Sequence, residues 1–252
     1  MLLRSINIGP LTIHLYGLII ALSIYLGWLL AKKRAHIYKI PQKIFDDPIL
    51  LVPLAFAIFG ARLYHVLDLR DYYLAHKSLI FAIWNGGLGI WGALIGAFIG
   101  FWVISKVKNV NLLSILDLAA PSLLLGQSIG RIGNFLNQEA FGPPTGFPWG
   151  VYISPGNRPI QFANSTRFHP TFFYEAAIDL VFLVLLLFLT RKLRISGQTF
   201  SLYLIFYATG RFIVEFWRID TWVVGSVKVA QILAVLTLIF GVATFMRARH
   251  KP

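Results

Sequence analysis

Residues 170–189 read PTFFYEAAIDLVFLVLLLFL, and this stretch decides the class of fold. A run of about 20 mainly apolar residues is long enough to cross the hydrocarbon core of a bilayer as a helix. The chain has seven such stretches, at residues 11–31, 48–67, 86–105, 112–135, 170–189, 198–217 and 226–245. The sequence therefore predicts an all-α polytopic membrane protein with about seven transmembrane helices, forming a single integral membrane domain over residues 1–252.

The composition excludes an ordinary soluble domain. Hydrophobic residues make up 57% of the chain and charged residues 13%, against roughly 45–50% and about 25% in soluble proteins. The formal net charge is +13, but the basic residues lie in short clusters between apolar stretches and form no stripe interleaved with aromatic residues. Nucleic acid is therefore not a predicted partner. We interpret the charge as a signal for membrane orientation and for contact with anionic membrane lipids.

The basic loops predict the orientation. Lys and Arg cluster at residues 32–43, 106–108, 191–194 and 247–251, on one side of the alternating apolar stretches. Loops rich in these residues stay in the cytoplasm, so we expect the N-terminus outside and the C-terminus in the cytoplasm. Residues 11–31 are too long for the apolar region of a secretory signal, and their basic cluster follows them, so we expect a retained first span.

Metal and thiol chemistry are not expected from the chain itself. It contains no cysteine, so a disulfide, a thiolate nucleophile and a cysteine metal site are excluded. Any thiol in its chemistry must belong to a partner. The six histidines show no ligand spacing such as HxxxH, and we predict neither a metal nor a cofactor.

The longest loop, residues 136–169, is rich in proline and falls on the outer side. We expect it to form a small irregular extracytoplasmic cap. Small residues recur every four positions at Gly92, Gly96 and Gly100 and again at Gly126 and Gly130. This spacing lets membrane helices approach closely, so these glycines are interpreted as packing residues.

Polar and aromatic groups in six of the stretches fall at one depth. A helix rises about 1.5 Å per residue, and counting along each stretch puts the following residues in the outer half or at the outer edge: Tyr16, Arg62, Trp91, Arg131, Glu175 and Arg211. Ionisable groups at membrane depth cost at least about 2.5 kcal/mol each and usually face a cavity, a partner or a pathway. A functional site near the outer leaflet is therefore predicted.

One polar cluster lies in GRFIVEFWRID, residues 210–220. Arg211, Glu215 and Arg218 are spaced i, i+4 and i+7, which predicts one helical face with two arginines around one glutamate. Two interpretations remain open for these residues alone. They form either a buried ion network that fixes helix packing or an anion site in which the glutamate holds the guanidinium groups in position.

A second cluster lies in GRIGNFLNQEAFG, residues 130–142. Arg131, Asn134 and Gln138 are spaced i, i+3 and i+7 if the helix continues, and an arginine among asparagines suits phosphate oxygens. The flanking Gly130 and Gly133 predict an uncrowded backbone that a bulky ligand can approach. The alternative is that these polar side chains only bind the cap loop.

The fifth stretch opens with HPTFFYE, residues 169–175. Pro170 suits the first position of a helix, and Thr171, Glu175 and Asp179 form an i, i+4, i+8 column. His169 is interpreted as a cap or hydrogen-bonding residue, with a role as a base as the alternative. Asp117 lies nearer the cytoplasm and is interpreted as structural.

Taken in order, these motifs carry a resemblance to a known family. They are LYG at 15–17, GAR at 60–62, WNGGLGIWGALIG at 84–96, GRIGNFLNQEAFG at 130–142, HPTFFYE at 169–175 and GRFIVEFWR at 210–218. In order and spacing the chain resembles the bacterial prolipoprotein diacylglyceryl transferase family. The resemblance implies a multi-pass inner-membrane enzyme that moves a diacylglyceryl group from phosphatidylglycerol to the lipobox cysteine thiol of a prolipoprotein, the first step of lipoprotein maturation.

The resemblance also implies roles for individual residues. Catalytic roles fall on Arg131, Arg211, Asn134, Tyr16 and Glu139, and phosphatidylglycerol-binding roles fall on Arg131, Asn137, Gly142, Glu215, Arg218 and His169. One departure concerns the general base. Many relatives carry His or Tyr where this chain has Trp91, and an indole cannot accept the thiol proton, so the base is left open.

Two other classes of membrane protein would bury charges for different reasons. A multi-span transporter with an outward-facing anion site also buries charges, but such charges are expected near the midplane, on interrupted helices in symmetric halves. A noncatalytic membrane scaffold explains glycine packing and ion pairs, but it does not explain polar groups that converge on one level.

Overall fold

The computed structural model describes residues 5–8, 11–193 and 195–249, and most of them are helical. The helices are α1 Leu15–Arg34, α2 Leu51–Asp68, α3 Arg70–Ala75, α4 Ile90–Val107, α5 Leu112–Asn137, α6 Thr171–Leu189, α7 Gln198–Val214 and α8 Val229–Arg249. Three two-stranded antiparallel pairs complete the fold: β1 Ser5–Ile8 with β2 Leu11–His14, β3 Val151–Tyr152 with β4 Arg167–Phe168, and β5 Val223–Val224 with β6 Val227–Lys228.

The predicted helical membrane fold is confirmed. Among the described residues, six helices are long and apolar enough to cross a membrane, namely α1, α2, α4, α5, α6 and α8. Helix α7 has only 17 residues and is not one of these six, so its crossing stays a prediction. The first span begins later than predicted, at Leu15, because Leu11–His14 pairs with Ser5–Ile8 as a hairpin.

The chain divides into two compact units. One contains the described residues of 1–34 and 117–249, and the other contains residues 35–116. Each unit has its own packing and is described separately below.

In the second unit, α2 and α4 pack through glycines. A Cβ atom on Gly96 would lie 2.0 Å from the Phe56 carbonyl oxygen, and one on Gly92 would lie 2.0 Å from the Gly60 carbonyl oxygen. At Gly100 the nearest atom would be the Pro53 Cα at 2.4 Å. Only glycine permits backbone contact this close, so the predicted packing role of these three residues is confirmed.

The same prediction is wrong for the glycines of α5. A Cβ atom on Gly126 or Gly130 would meet nothing within 4 Å. Spacing alone does not bring a partner helix to a small residue, because the partner is chosen by the packing of the whole unit.

We expect Gly96→Ala to destabilise the protein by about 1–3 kcal/mol, because the added methyl group would overlap backbone that cannot move aside. Gly126→Ala is the matched control, since it adds the same methyl group to a membrane helix at a position with open space. The thermal unfolding midpoint of each purified variant in detergent micelles measures the difference. Equal midpoints for the two variants would contradict the packing interpretation.

Arg62 joins α2 to the loop before α4 within the second unit. Its side chain is buried, and it donates to the carbonyl oxygens of Leu79, Ile80, Gly86 and Gly87 at 2.5–3.0 Å. The guanidinium carbon also lies 5.1 Å from the centroid of the Tyr73 ring. Carbonyl dipoles therefore offset the buried charge, and Arg62 holds the loop in place.

In the second unit, Asp47 connects the segment before α2 to the residue that follows α4. Its carboxylate accepts hydrogen bonds from the Ile49 amide at 2.9 Å and from the Lys108 ammonium group. The hydrogen bond from Lys108, followed by that from Ile49, lowers the pKa of Asp47 below its usual value. The side chain caps the turn that leads into α2.

In the first unit, α5, α6 and α7 share one apolar core. Its buried members are Ala120 and Leu124 on α5, Leu183 and Leu186 on α6, and Tyr203 on α7. The side chains of Leu124 and Leu186 are completely buried. This core holds the three helices side by side, which places the C-terminal ends of α5 and α7 beside the N-terminal end of α6.

Asp117 has the structural role predicted for it. Its carboxylate is 1% exposed and accepts hydrogen bonds from the amides of Gly197 at 2.6 Å and Phe200 at 2.7 Å. These amides belong to the first turn of α7, where backbone donors have no partner within the helix. Asp117 therefore caps α7 from α5.

The loop over residues 138–170 folds as a small cap on α5 and α6, and its extracytoplasmic location stays a prediction. Strands β3 and β4 pair within it, and two short 3-10 helices, Pro155–Asn157 and Ile160–Phe162, lie between them. Four buried side chains form its core together with the start of α6: Phe141, Ile153, Phe168 and Phe172. The cap is thus an ordered continuation of α5 and α6.

Candidate active site

One carboxylate contacts three arginines near the C-terminal ends of α5 and α7 and the N-terminal end of α6. Glu175, in the second turn of α6, is 4% exposed. Its Oε1 lies 2.6 Å from Arg131 Nη2 and 3.3 Å from Arg211 Nη1. Its Oε2 lies 3.5 Å from Arg218 Nη1. Arg131 and Arg211, which the sequence places in one set of polar residues, therefore have Glu175 as their common partner.

Glu215 forms a second carboxylate in the cluster. It is fully buried, its Oε2 lies 2.7 Å from Arg211 Nη2, and its Oε1 accepts a hydrogen bond from the Thr221 hydroxyl. Arg211 therefore reaches Glu175 with one terminal nitrogen and Glu215 with the other. This use of both ends of a planar fork is available to arginine but not to lysine.

The predicted single helical face for Arg211, Glu215 and Arg218 is wrong. Helix α7 ends at Val214, a 3-10 turn covers Glu215–Trp217, and Arg218 is extended. Arg218 binds Asp220 with two nitrogens, at 3.1 and 2.7 Å, and approaches Glu175. The i, i+7 spacing applies only while the helix continues, and here it stops before Arg218.

Lys228 fixes the segment that carries Arg218. Its ammonium group donates to the carbonyl oxygens of Glu215 at 2.5 Å and Arg218 at 2.8 Å. The Glu215 carbonyl also accepts the Arg218 amide at 3.2 Å, and both carbonyls lie just beyond the end of α7. The β5–β6 hairpin is thereby held to the end of α7.

The polar residues at the end of α5 extend the cluster. Arg131 Nη1 donates to Asn134 Oδ1 at 3.2 Å, and Asn134 Nδ2 donates to Glu139 Oε1 at 3.0 Å. Asn137 Nδ2 donates to the same glutamate oxygen at 3.3 Å. A continuous hydrogen-bonded path therefore runs from the exposed Glu139 to the buried Glu175.

Gln138 does not belong to this path. Helix α5 ends at Asn137, and Gln138 has a left-handed φ of 54°. Its side chain accepts from the Ser154 amide at 2.9 Å and from Asn157 Nδ2 at 3.1 Å. The alternative interpretation, binding to the cap loop, is therefore correct for this residue.

Tyr16 fills the space beside Gly133. A Cβ atom on Gly133 would lie 2.4 Å from the Tyr16 ring, so the prediction of an uncrowded backbone is wrong at this glycine. It is correct at Gly130, where nothing lies within 4 Å. The open approach to Arg131 is therefore on the Gly130 side, and Tyr16 closes the other side.

His169 and Gly142 pack against each other where the cap meets α6. The His169 Nδ1 lies 3.0 Å from the Tyr174 hydroxyl, which also accepts from Trp149 Nε1 at 2.9 Å. The Gly142 amide donates to the His169 carbonyl at 2.8 Å, and a Cβ atom there would lie 2.6 Å from the Trp217 carbonyl oxygen. The described contacts of His169 are thus with residues of the cap and of the first turn of α6, as the hydrogen-bonding interpretation predicts.

The sequence did not single out Glu175 as a member of the site. It placed this residue at the outer level and in a column with Thr171 and Asp179, but gave it no partner. In the structure, Thr171 and Glu175 have different partners. The Thr171 hydroxyl donates to the Ala140 carbonyl at 2.6 Å, while Glu175 binds the arginines. The available signal was a carboxylate within an apolar stretch, which requires a cationic partner.

The arginines of the cluster have donor groups that suit an anionic ligand. The side chains of Arg131, Arg211 and Arg218 are 22%, 19% and 10% exposed, and the carboxylates of Glu175 and Glu215 are 6% and 0% exposed. Arg218 also pairs with Asp220, so three guanidinium groups meet three carboxylates. The guanidinium N–H groups that are not used in these contacts suit phosphate oxygens.

The helices and the buried arginine–glutamate cluster define a polytopic helical membrane protein with its polar groups gathered at one set of helix ends. A sequence model described as prolipoprotein diacylglyceryl transferase matches residues 4–247, and the chain therefore belongs to the prolipoprotein diacylglyceryl transferase family. Family membership makes the chain a transferase.

Relatives named phosphatidylglycerol–prolipoprotein diacylglyceryl transferase are similar along nearly the whole chain. The protein of Acaryochloris marina is 40% identical over 238 residues, which cover 93% of this chain and 86% of the relative. That of Trichormus variabilis is 38% identical over 255 residues, covering 98% and 90%. That of Clostridium novyi is 38% identical over 247 residues, covering 98% and 96%.

Proposed function

We propose that this chain transfers the diacylglyceryl group of phosphatidylglycerol to the lipobox cysteine thiol of prolipoproteins. The cysteine sulfur attacks the glycerol carbon that bears the phosphate ester and forms a C–S bond. The C–O bond to the phosphate breaks, its electron pair goes to the phosphate oxygen, and glycerol phosphate leaves. The thiol proton is lost, and the product is a thioether.

The observation that carries the proposal is the sharing of Glu175 by arginines from separate helices. Arg131 on α5 and Arg211 on α7 bind the same carboxylate oxygen. Negative charge grows on the leaving phosphate during the reaction. Guanidinium groups fixed in advance stabilise that charge more in the transition state than in the ground state. We assign the phosphate to Arg131 and Arg211, with Asn134 orienting Arg131.

Activation of the thiol follows from the same charges. A cysteine thiol has a reference pKa of about 8.5, and nearby positive charge lowers this value. We propose that the arginines supply much of this effect, with Glu139 or His169 as the proton acceptor. Glu139 is the better connected of the two, because Asn134 links it to Arg131.

The proposed location is the outer leaflet of a bacterial inner membrane, with the N-terminus outside and the C-terminus in the cytoplasm. The arginines lie at the C-terminal ends of α5 and α7, and Glu175 lies near the N-terminal end of α6. In the proposed orientation all three ends face outward. Phosphatidylglycerol head groups and the lipobox peptide of a translocated prolipoprotein would both reach this level.

The proposal is tested with purified protein in detergent micelles, phosphatidylglycerol and a lipobox peptide. We expect a thioether product, detected by mass spectrometry, because both reacting groups are then present. A peptide with serine in place of cysteine should give none, since the hydroxyl is a much weaker nucleophile than a thiolate. Phosphatidylethanolamine in place of phosphatidylglycerol provides the lipid control. Absence of product with the cysteine peptide, or equal product with the serine peptide, would refute the proposal.

A further inference from the structure

We propose that Glu175 is a positioning residue for the transfer reaction, holding Arg131 and Arg211 in the arrangement that fits one phosphate group. This inference rests on the proposed function and goes beyond it, because it assigns a role to a residue that is not expected to touch the substrate.

The first support is that two arginines share one oxygen. Arg131 Nη2 and Arg211 Nη1 both donate to Glu175 Oε1, at 2.6 and 3.3 Å. The two guanidinium groups come from different helices, so helix packing alone fixes only their Cα positions. Sharing one acceptor brings their terminal nitrogens within reach of a single phosphate and sets the angle between their planes.

The second support is that each of the two guanidinium groups binds two acceptors. Arg131 also donates to Asn134, and Arg211 also reaches Glu215. Glu175 is thus the residue that connects the two pairs within the described part of the chain. Among the described residues, no other acceptor contacts both Arg131 and Arg211.

The third support is burial. The Glu175 side chain is 6% exposed, while Arg131 and Arg211 are 22% and 19% exposed. The arginines therefore present their more exposed edges to an incoming ligand, while the carboxylate lies behind them. Removal of its charge would leave three neighbouring guanidinium groups to repel one another in a poorly solvated site.

The resulting prediction separates catalysis from binding. In Glu175→Gln the side chain keeps its shape but loses its charge, so we expect kcat to fall about 10- to 100-fold because the guanidinium groups are displaced by a fraction of an ångström. The apparent KM for phosphatidylglycerol should stay the same or fall, since the site becomes more positive. Glu175→Asp keeps the charge and shortens the reach, and we expect a kcat between those of the wild type and Glu175→Gln.

Asp179→Asn is the matched control. Asp179 lies one turn further along α6 and is buried to a similar extent, 6% against 4% exposed for Glu175. It interacts with Glu175 and Arg131 only through the longer-range field, and none of its described contacts is an ion pair with the arginines. Neutralising it should leave kcat close to that of the wild type. Thermal midpoints of all variants are measured alongside the kinetics.

A double variant tests whether Glu175 acts on the reaction through Arg131 or only stabilises the fold. If Glu175 acts through Arg131, then Glu175→Gln combined with Arg131→Lys should lose no more activity than the more damaging single change. Additive losses would overturn the inference, as would a wild-type kcat in either Glu175→Gln or Glu175→Asp, or a loss confined to KM. If Glu175→Gln fails to fold, the kcat of Glu175→Asp decides the question.

The failure of this inference differs from the failure of the proposed function. A wild-type protein that makes no thioether overturns the proposed function and this inference together. A wild-type protein that makes thioether, with Glu175 variants of equal kcat, overturns only the role of Glu175.

Discussion

Replacement of Arg131 by alanine is expected to lower kcat/KM for thioether formation by a factor of about 10² to 10³. Arg131 connects Asn134, and through it Glu139, to Glu175. Its removal takes away one proposed phosphate donor and leaves the Glu175 carboxylate with less positive charge around it. The loss should appear as lower kcat and as weaker binding of phosphatidylglycerol.

The control for this prediction is Arg70→Ala. The Arg70 side chain is 78% exposed and pairs only with the exposed Asp71 among the described residues. Such surface pairs contribute little to stability, so this variant removes one positive charge without disturbing a buried cluster. Comparable rates for Arg131→Ala and Arg70→Ala would show that Arg131 is not needed for the reaction.

Replacement of Arg211 by lysine is expected to lower kcat/KM by about 100-fold although the charge is kept. Arg211 uses Nη1 for Glu175 and Nη2 for Glu215, on opposite ends of a planar fork. The single nitrogen of lysine cannot occupy both places. It would leave Glu175 or Glu215 short of a partner, and the second proposed phosphate donor would move with it.

The Arg211→Lys variant also distinguishes geometry from charge. If a general positive field is sufficient, lysine should support a rate within a few-fold of the wild type. If fixed guanidinium forks are required, lysine and alanine at this position should be similarly inactive. The comparison uses kcat/KM at several salt concentrations, because a field effect weakens with ionic strength whereas a short buried contact does so much less. A lysine variant with nearly full activity would argue against the proposed mechanism.

Several features of the site follow from local sequence and could be predicted. Arg131 and Arg211 lie late in their apolar stretches, and Glu175 lies early in the stretch between them. Helix rise therefore fixes their depth to within a turn. The packing of Gly92, Gly96 and Gly100 was predictable in the same way, since their periodicity places them on one face of α4.

Other features depend on partners that lie far away in the chain. Glu215 was expected to lie between two arginines, yet Arg218 lies beyond the end of α7 and binds Asp220. Gly126 and Gly130 have the same spacing as the glycines of α4 but no neighbour within 4 Å. Periodicity describes one helix at a time, so it reports which face a residue occupies but not which segment packs against that face.

The sequence by itself determined the class of protein, six of its apolar spans and the family. These follow from hydrophobic length, charge distribution and motifs, because each depends on residues close together in the chain. Only the tertiary structure decided that Glu175 is the shared partner of three arginines from α5, α7 and the segment after it. The reason is that a buried carboxylate is assigned to its cations by the side-by-side packing of α5, α6 and α7, which local sequence patterns do not encode.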